Sequence, residues 1–106
     1  MKYAKSLFDN QDDYKCFASD LKERHKDCGK SGVINRHEIF YGRAYRDKSI
    51  KYGLWVNLCY ACHEKVHCGK DHSLDEKLKQ LGQTKFEETH TREEFMSLFG
   101  KNRLED

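Results

Sequence analysis

The sequence lacks the features that would place it in a membrane or divide it into separate domains. None of its 106 residues is proline, and no apolar run approaches the roughly 20 residues that a membrane-spanning helix needs. Its first residues, MKYAKSLFDNQDD, have no apolar core of the kind that secretory signal peptides carry. Low-complexity segments and internal repeats are also missing. We therefore expect a cytoplasmic protein, without membrane contacts, that folds as one domain over residues 1–106.

Apolar residues are scarce for so short a chain. Only 37% of the residues are apolar and 36% are charged, so we expect a thin hydrophobic core. The five cysteines are an odd number, and cytosolic thiols are kept reduced, which argues against disulfide bonds. Metal binding is the better explanation for these cysteines, and a bound ion would stabilise a core of this size.

The net charge of +2 hides an uneven distribution along the chain. Residues 22–70 hold 11 Lys or Arg and 5 Asp or Glu, whereas residues 71–106 hold 6 and 9. A basic middle segment favours a polyanion such as DNA through counterion release and electrostatic steering. The same imbalance is common on solvated surfaces, so charge alone does not identify a partner.

Apolar spacing divides the chain into three parts. Residues 1–24 form an N-terminal extension, in which Phe17 and Leu21 suggest a short helix. Residues 25–70 mix glycine, cysteine, histidine and aromatic side chains and carry the chemistry. Residues 71–106 have the pattern of amphipathic helices packed over the core.

The middle part predicts a hairpin followed by a helix. Two β-prone runs, VINRHEIFY and YGLWVNLC, flank a loop from Gly42 to Gly53. The next segment, ACHEKVH, is expected to be helical, because His63 and His67 then lie one turn apart on the same face.

Two capping boxes are predicted in the C-terminal part. Ser73 followed by Glu76 would open a helix through SLDEKLKQLGQTKFEETH, and Thr91 followed by Glu94 would open a second helix. Gly100 is the expected C-terminal stop of the second helix. The expected apolar stripes are Leu74, Leu78 and Leu81 on the first helix and Phe95, Leu98 and Phe99 on the second.

Two short knuckles in the middle part have the spacing of a structural zinc site. The first has the pattern H-x-x-C and the second C-x-x-C, and a gap of two residues lets both side chains of a tight turn reach one tetrahedral ion. Their ligands would be His25, Cys28, Cys59 and Cys62. If His25 points away, Cys16 or Cys68 could supply the fourth ligand.

A second set of histidines predicts a separate, open metal site. His37 lies on the first β-prone run, and it can converge with His63 and His67 if the hairpin packs on the helix. Three ligands leave positions open for water and phosphate, which suggests catalysis. Two alternatives remain, in which His63 joins the zinc site or all the Cys and His residues form one redox or metal-storage cluster.

The segments HEIFYG and YGLWVNLCYACHEKVH resemble the HNH endonucleases, also called ββα-metal or His-Me finger nucleases, and particularly small prophage-encoded members. The resemblance covers most of residues 25–100. It implies an α+β fold, in which a small ββα-metal core carries a structural zinc site and is followed by C-terminal helices. It also implies a metal-dependent DNA endonuclease that hydrolyses phosphodiester bonds and needs no organic cofactor. Such an enzyme would be associated with a phage or prophage.

The resemblance assigns roles to four residues. His37, His63 and His67 would hold one Mg²⁺, Mn²⁺ or similar divalent ion against the scissile phosphate. Glu38, the residue after His37, would activate the attacking water. The catalytic set is therefore His37, Glu38, His63 and His67, beside a structural Zn²⁺. A phage or host protein complex is a further partner that the resemblance suggests.

Two positions depart from the family pattern. The general-base position usually holds histidine, whereas this chain has Glu38, so the base is either Glu38 or His37 itself. The asparagine of the family aligns with Leu54, and Asn57 comes three residues later. Another group, Ser49 or the backbone at Gly53, is then expected to support the loop.

Basic residues in and beside the loop are the expected DNA contacts. They are Arg36, Arg43, Arg46, Lys48 and Lys51. Tyr41 and Tyr45 interleave with these cations and would either pack on sugars and bases or belong to the core. The competing hypothesis is a non-cleaving, zinc-stabilised module that binds DNA or a phage or host protein.

Overall fold

The fold is built on a two-stranded antiparallel hairpin, seen in a computed structural model of the chain. The structure describes residues 3–9, 11, 14–30, 32–68 and 71–104. Strand β1 spans Ile34–Glu38 and strand β2 spans Trp55–Cys59, paired from Ile34 opposite Cys59 to Glu38 opposite Trp55. Every residue of β2 is buried, so this strand is covered on both faces. The hairpin predicted from the two β-prone runs is confirmed.

The connection between the strands contains a helix that the sequence did not predict. Helix α1 spans Arg46–Tyr52 within the segment expected to be a loop. No side chain caps its N-terminus, and it ends at Gly53 in the left-handed conformation. The Ser49 hydroxyl donates to the Phe40 carbonyl at 2.7 Å and accepts from the Phe40 amide at 3.0 Å. Ser49, one of the two groups expected to support the loop, thus supports the connection.

The N-terminal extension is tied to β2 through backbone and side-chain hydrogen bonds. Leu7 donates its amide to the Gly53 carbonyl at 2.9 Å, and the Trp55 indole donates to the Ala4 carbonyl at 2.7 Å. Asn57 donates its side-chain amide to the carbonyl of Gln11. Asn57 therefore holds the extension, not the connection between the strands.

Helix α2 spans Tyr60–Cys68 and begins at the residue after β2. It packs against both strands of the hairpin. Cys62 and Val66 are buried on its inner face, one turn apart. The order strand, strand, helix is compatible with the expected ββα core, and the observed class is α+β with two strands and four α-helices among the described residues.

The last two helices cover the core, although one predicted cap is wrong. Helix α3 spans Ser73–Phe86 and α4 spans Arg92–Phe99. Ser73 is the first residue of α3 and not its N-cap, because the Asp71 carboxylate accepts the Ser73 amide at 2.9 Å. Helix α3 also ends at Phe86, four residues before the predicted end. The capping box of Thr91 and Glu94 and the stop at Gly100 are confirmed.

Aromatic rings join these helices to the residues that follow β1. Phe40 lies 4.5 Å from Phe99 and 5.3 Å from Phe95 between ring centroids. The buried side chains of the last two helices include Leu74, Leu78, Phe86, Phe95 and Phe99, whereas Leu81 and Leu98 are half-buried. In the part of the chain that the structure describes, no helix combines the length and apolar character that crossing a membrane would require.

We expect Gly53→Ala to destabilise the fold far more than Gly42→Ala. Both glycines have positive φ, 72° and 94°, so either alanine is strained by about 1–2 kcal/mol. At Gly53 a Cβ atom would also lie 2.2 Å from the Lys5 carbonyl oxygen, whereas nothing lies within 4 Å at Gly42. Urea unfolding followed by circular dichroism measures both losses. Equal losses would show that the N-terminal extension does not pack against Gly53.

Candidate functional site

Four cysteines from three parts of the chain come together beside the start of α2. Cys59 is the last residue of β2, Cys62 lies in the first turn of α2, and Cys16 directly precedes a short 3-10 helix, Phe17–Asp20. Their sulfur atoms lie within 4.8 Å of one another. The members of this thiol cluster are Cys16, Cys28, Cys59 and Cys62. The cluster could hold a metal ion, and four sulfur ligands suit a structural zinc.

His25 is not the fourth member of the thiol cluster, which corrects the H-x-x-C prediction. Its Nδ1 atom accepts the Asp27 amide at 2.9 Å, within its own turn. Only its backbone faces the cluster, since the His25 amide donates to the Cys62 sulfur at 3.4 Å. Cys16, one of the two alternatives, takes the position, and the other, Cys68, is exposed and outside the cluster. Cys16 was harder to recognise because it has no knuckle partner nearby in sequence.

Backbone amides donate to the sulfur atoms of Cys59 and Cys62, which favours the thiolate form, whereas burial opposes it. Burial opposes ionisation of Cys59, but amide hydrogen bonds from Cys62 and Gly29 outweigh it and lower the pKa of Cys59 to about 7. Burial raises the pKa of Cys28 to about 11. The Cys28 and Cys16 sulfurs are 3.6 Å apart. A cation among these sulfurs would stabilise the thiolates that burial otherwise disfavours.

Three histidines form a second, separate cluster on the neighbouring face of α2. His37 comes from β1, and His63 and His67 come from successive turns of the helix, so their ring nitrogens lie within 4.8 Å of one another. The Nε2 atoms of His63 and His67 are 3.2 Å apart. This histidine cluster matches the predicted set, and His63 belongs to it and not to the thiol cluster.

The environment of the histidine cluster favours the neutral form of His37 and of His63. Burial, aided by the neighbouring His63, His67 and Lys79, lowers the pKa of His37 to about 3. Burial and His67 also lower the pKa of His63, although Glu38 acts in the opposite direction. Neutral imidazoles present the lone pairs that a metal ion requires.

One buried nitrogen in the histidine cluster has no partner. Among the described residues nothing hydrogen-bonds His37 Nε2, although the residue is only 1% exposed. Such an orphaned polar atom costs about 1–3 kcal/mol. A divalent cation between the three rings would satisfy it, so the donor set fits a metal ion.

Two donors hold Glu38, the residue that follows His37 on β1. The Tyr3 hydroxyl donates to Glu38 Oε2 at 2.5 Å, and Arg46 Nε donates to Glu38 Oε1 at 3.0 Å. Sequence reasoning missed Tyr3, because no pattern links a position in the extension to Glu38.

The five predicted DNA contacts differ in what they already contact. The Arg36 guanidinium lies over both the Tyr3 ring and the Trp55 ring, 4.3 and 4.4 Å from their centroids, and the residue is exposed. Lys48 donates to the Leu98 carbonyl at 2.7 Å and therefore anchors the end of α4.

Arg43 and Lys51 are the cations that remain most open to solvent. Arg43 has no hydrogen bond or ion pair with the rest of the described chain, and Lys51 is exposed above the Tyr52 ring at 5.5 Å. Tyr41 is half-buried against His67, whereas Tyr45 is partly exposed beside Phe99.

No family model, curated protein or solved structure matches this chain. Only the geometry of the two clusters therefore bears on the chemistry of the site. Cys62 and His63 are consecutive residues, so the two clusters lie on adjacent faces of one helix.

We expect Cys16→Ser to lose bound zinc and His25→Ala to keep it. Serine offers no thiolate to complete the tetrahedral set, whereas the His25 side chain lies outside the cluster. Metal content is measured by mass spectrometry on protein purified with zinc, and thermal unfolding reports the stability. If His25→Ala loses zinc while Cys16→Ser keeps it, the fourth ligand is His25 and not Cys16.

Proposed function

We propose that this chain is a metal-dependent endonuclease of the HNH type, which hydrolyses phosphodiester bonds in DNA. The observation that carries the proposal is the histidine cluster, with an orphaned, buried His37 nitrogen and a held carboxylate on the next residue, Glu38. Three imidazoles suit a cation that keeps open positions for substrate. The thiol cluster fixes the helix that carries two of the three ligands.

In the proposed mechanism the protein binds the phosphate and removes a proton from water. A divalent cation held by His37, His63 and His67 would polarise the phosphoryl oxygen and stabilise the leaving 3′ oxygen. As a buried ligand, His37 is unsuited to be the base. Glu38 therefore takes the proton, and Arg46 and Tyr3 hold its carboxylate in place. Water has to compete with these two donors for the carboxylate oxygens, so turnover is expected to be slow.

Three cations would contact the DNA backbone near the cleavage site. Contacts with the Tyr3 and Trp55 rings order the Arg36 guanidinium while the residue stays exposed, which leaves it able to bind phosphate. Arg43 and Lys51 add positive charge on the connection between the strands, whereas Arg36 lies on β1. Such contacts provide affinity without base recognition, so sequence preference is expected to be weak.

A non-cleaving DNA-binding module is the second candidate, and one observation favours it. Both carboxylate oxygens of Glu38 already accept hydrogen bonds, from Tyr3 and Arg46, as a purely structural carboxylate would. This candidate requires the zinc and the cations but no exchangeable metal. Cleavage that depends on the histidine cluster distinguishes the two.

The first test is plasmid cleavage with added Mg²⁺, Mn²⁺ or Ni²⁺. We expect the unaltered protein to nick DNA, and His63→Ala to lose this activity while keeping its zinc, because the thiol cluster is intact. Glu38→Gln should reduce the rate about a hundredfold or more, since the amide cannot accept the proton. Gel electrophoresis gives the rates, and mass spectrometry gives the zinc content.

His72→Ala is the matched control for histidine loss, because His72 is exposed before α3 and belongs to neither cluster. It should cleave like the unaltered protein. If no metal supports cleavage by the unaltered protein, while it still binds DNA, the binding-module candidate replaces the nuclease.

We expect Arg43→Ala and Lys51→Ala each to weaken DNA binding and to flatten its salt dependence. Removing one phosphate contact should reduce the slope of log affinity against log salt by about 1. Fluorescence anisotropy with a labelled duplex in metal-free buffer measures the slope. Lys101→Ala, an exposed cation beyond α4, is the control. Unchanged slopes for both variants would remove the connection between the strands from the DNA interface.

A further inference from the structure

Tyr41 contacts the least buried member of the histidine cluster. His67 is exposed and lies in the last turn of α2, where its ring also contacts the His63 and His37 rings at centroid distances of 4.6 and 5.1 Å. The Tyr41 ring packs against it with a centroid distance of 4.7 Å and an angle of 62°. The same ring is 5.7 Å from His37. Tyr41 therefore touches two of the three candidate ligands.

Two residues of α3 hold Tyr41 from the opposite side. The Tyr41 hydroxyl donates to Asp75 Oδ2 at 3.0 Å, and Lys79 Nζ lies 4.7 Å from the centre of the Tyr41 ring. Asp75 and Lys79 form an ion pair at 3.0 Å, with side chains only 11% and 13% exposed. The tyrosine ring is thus fixed at its face and at its hydroxyl group.

The buried ion pair is not fully satisfied, although it lies close to the surface. Asp75 Oδ1 has no hydrogen-bond partner among the described residues. An exposed pair at the same helical spacing would avoid this cost. The Asp75–Lys79 pair is buried at a cost in stability and lies next to candidate metal ligands. Its position indicates a role beyond joining α3 to the hairpin.

We propose that Tyr41, held by Asp75 and Lys79, is a positioning residue that orients His67 for metal binding. This inference rests on the proposed function, because it concerns the cation at the histidine cluster. The ring fixes the orientation of His67 before the ion arrives, so less side-chain freedom is lost on binding. Tyr41 itself touches neither the ion nor the substrate and is not a catalytic residue.

The test measures Ni²⁺ affinity of the zinc-loaded protein by calorimetry, without DNA. Tyr41→Leu should weaken Ni²⁺ binding about tenfold or more, as loss of an outer contact to a ligand does. Tyr41→Phe keeps the ring and loses only the hydrogen bond to Asp75, so it should recover most of this affinity. Asp75→Leu removes the acceptor of this hydrogen bond and should resemble Tyr41→Phe. The control is Tyr52→Phe, because Tyr52 packs on Phe86 and His90, away from the cluster.

A second measurement separates positioning from general loss of stability. In the zinc-loaded protein without nickel, the imidazole NMR signals of His67 should broaden or multiply in Tyr41→Leu while those of His90 stay unchanged. Tyr41→Leu and Tyr41→Phe that bind Ni²⁺ within about twofold of the unaltered protein, while His67→Ala does not, would overturn the positioning role alone. Absence of Ni²⁺ binding in the unaltered protein would overturn the proposed function and this inference together.

Discussion

The junction between β2 and α2 fixes both clusters at once. Cys59 ends the strand, Cys62 lies in the first turn of the helix, and His63 is the next residue. Sulfur contacts with the extension and the first knuckle hold this junction, which sets the rotation of α2 about its axis. That rotation decides whether the imidazoles of His63 and His67 face His37 across the hairpin. The geometry of the histidine cluster therefore depends on the thiol cluster.

Local signals were sufficient to predict most of the fold. The two β-prone runs predicted the hairpin. The Thr91 and Glu94 capping box, together with Gly100, predicted the start and end of α4 correctly. Helix α1 was missed because its sequence has neither an N-terminal capping side chain nor an apolar stripe, and its stability comes from tertiary contacts such as that between Ser49 and Phe40. The cap at Ser73 was misassigned because Asp71 offered a competing acceptor two residues earlier.

The histidine cluster was predictable because two of its members lie one helical turn apart and the third lies on a β-prone run. Residues from distant parts of the chain were not, since no spacing rule connects them. Tyr3 reaches Glu38 only because the extension crosses α1 and β2, and Cys16 was one of two alternatives that sequence could not separate. Asp75 read as an ordinary helical carboxylate, and its role depends on contact with Tyr41.

The origin of the cysteines in three parts of the chain has a consequence for the rate of metal exchange. Cys59 and Cys62 have no exposed surface, so a chelator or competing ion cannot reach these two sulfur atoms in the folded protein, although Cys28 is half-buried. Complete release of a bound ion would therefore require the fold to open around Cys59 and Cys62. A metal ion at this position would then be lost at the speed of local unfolding, and its lifetime would be set by the fold rather than by its affinity for sulfur.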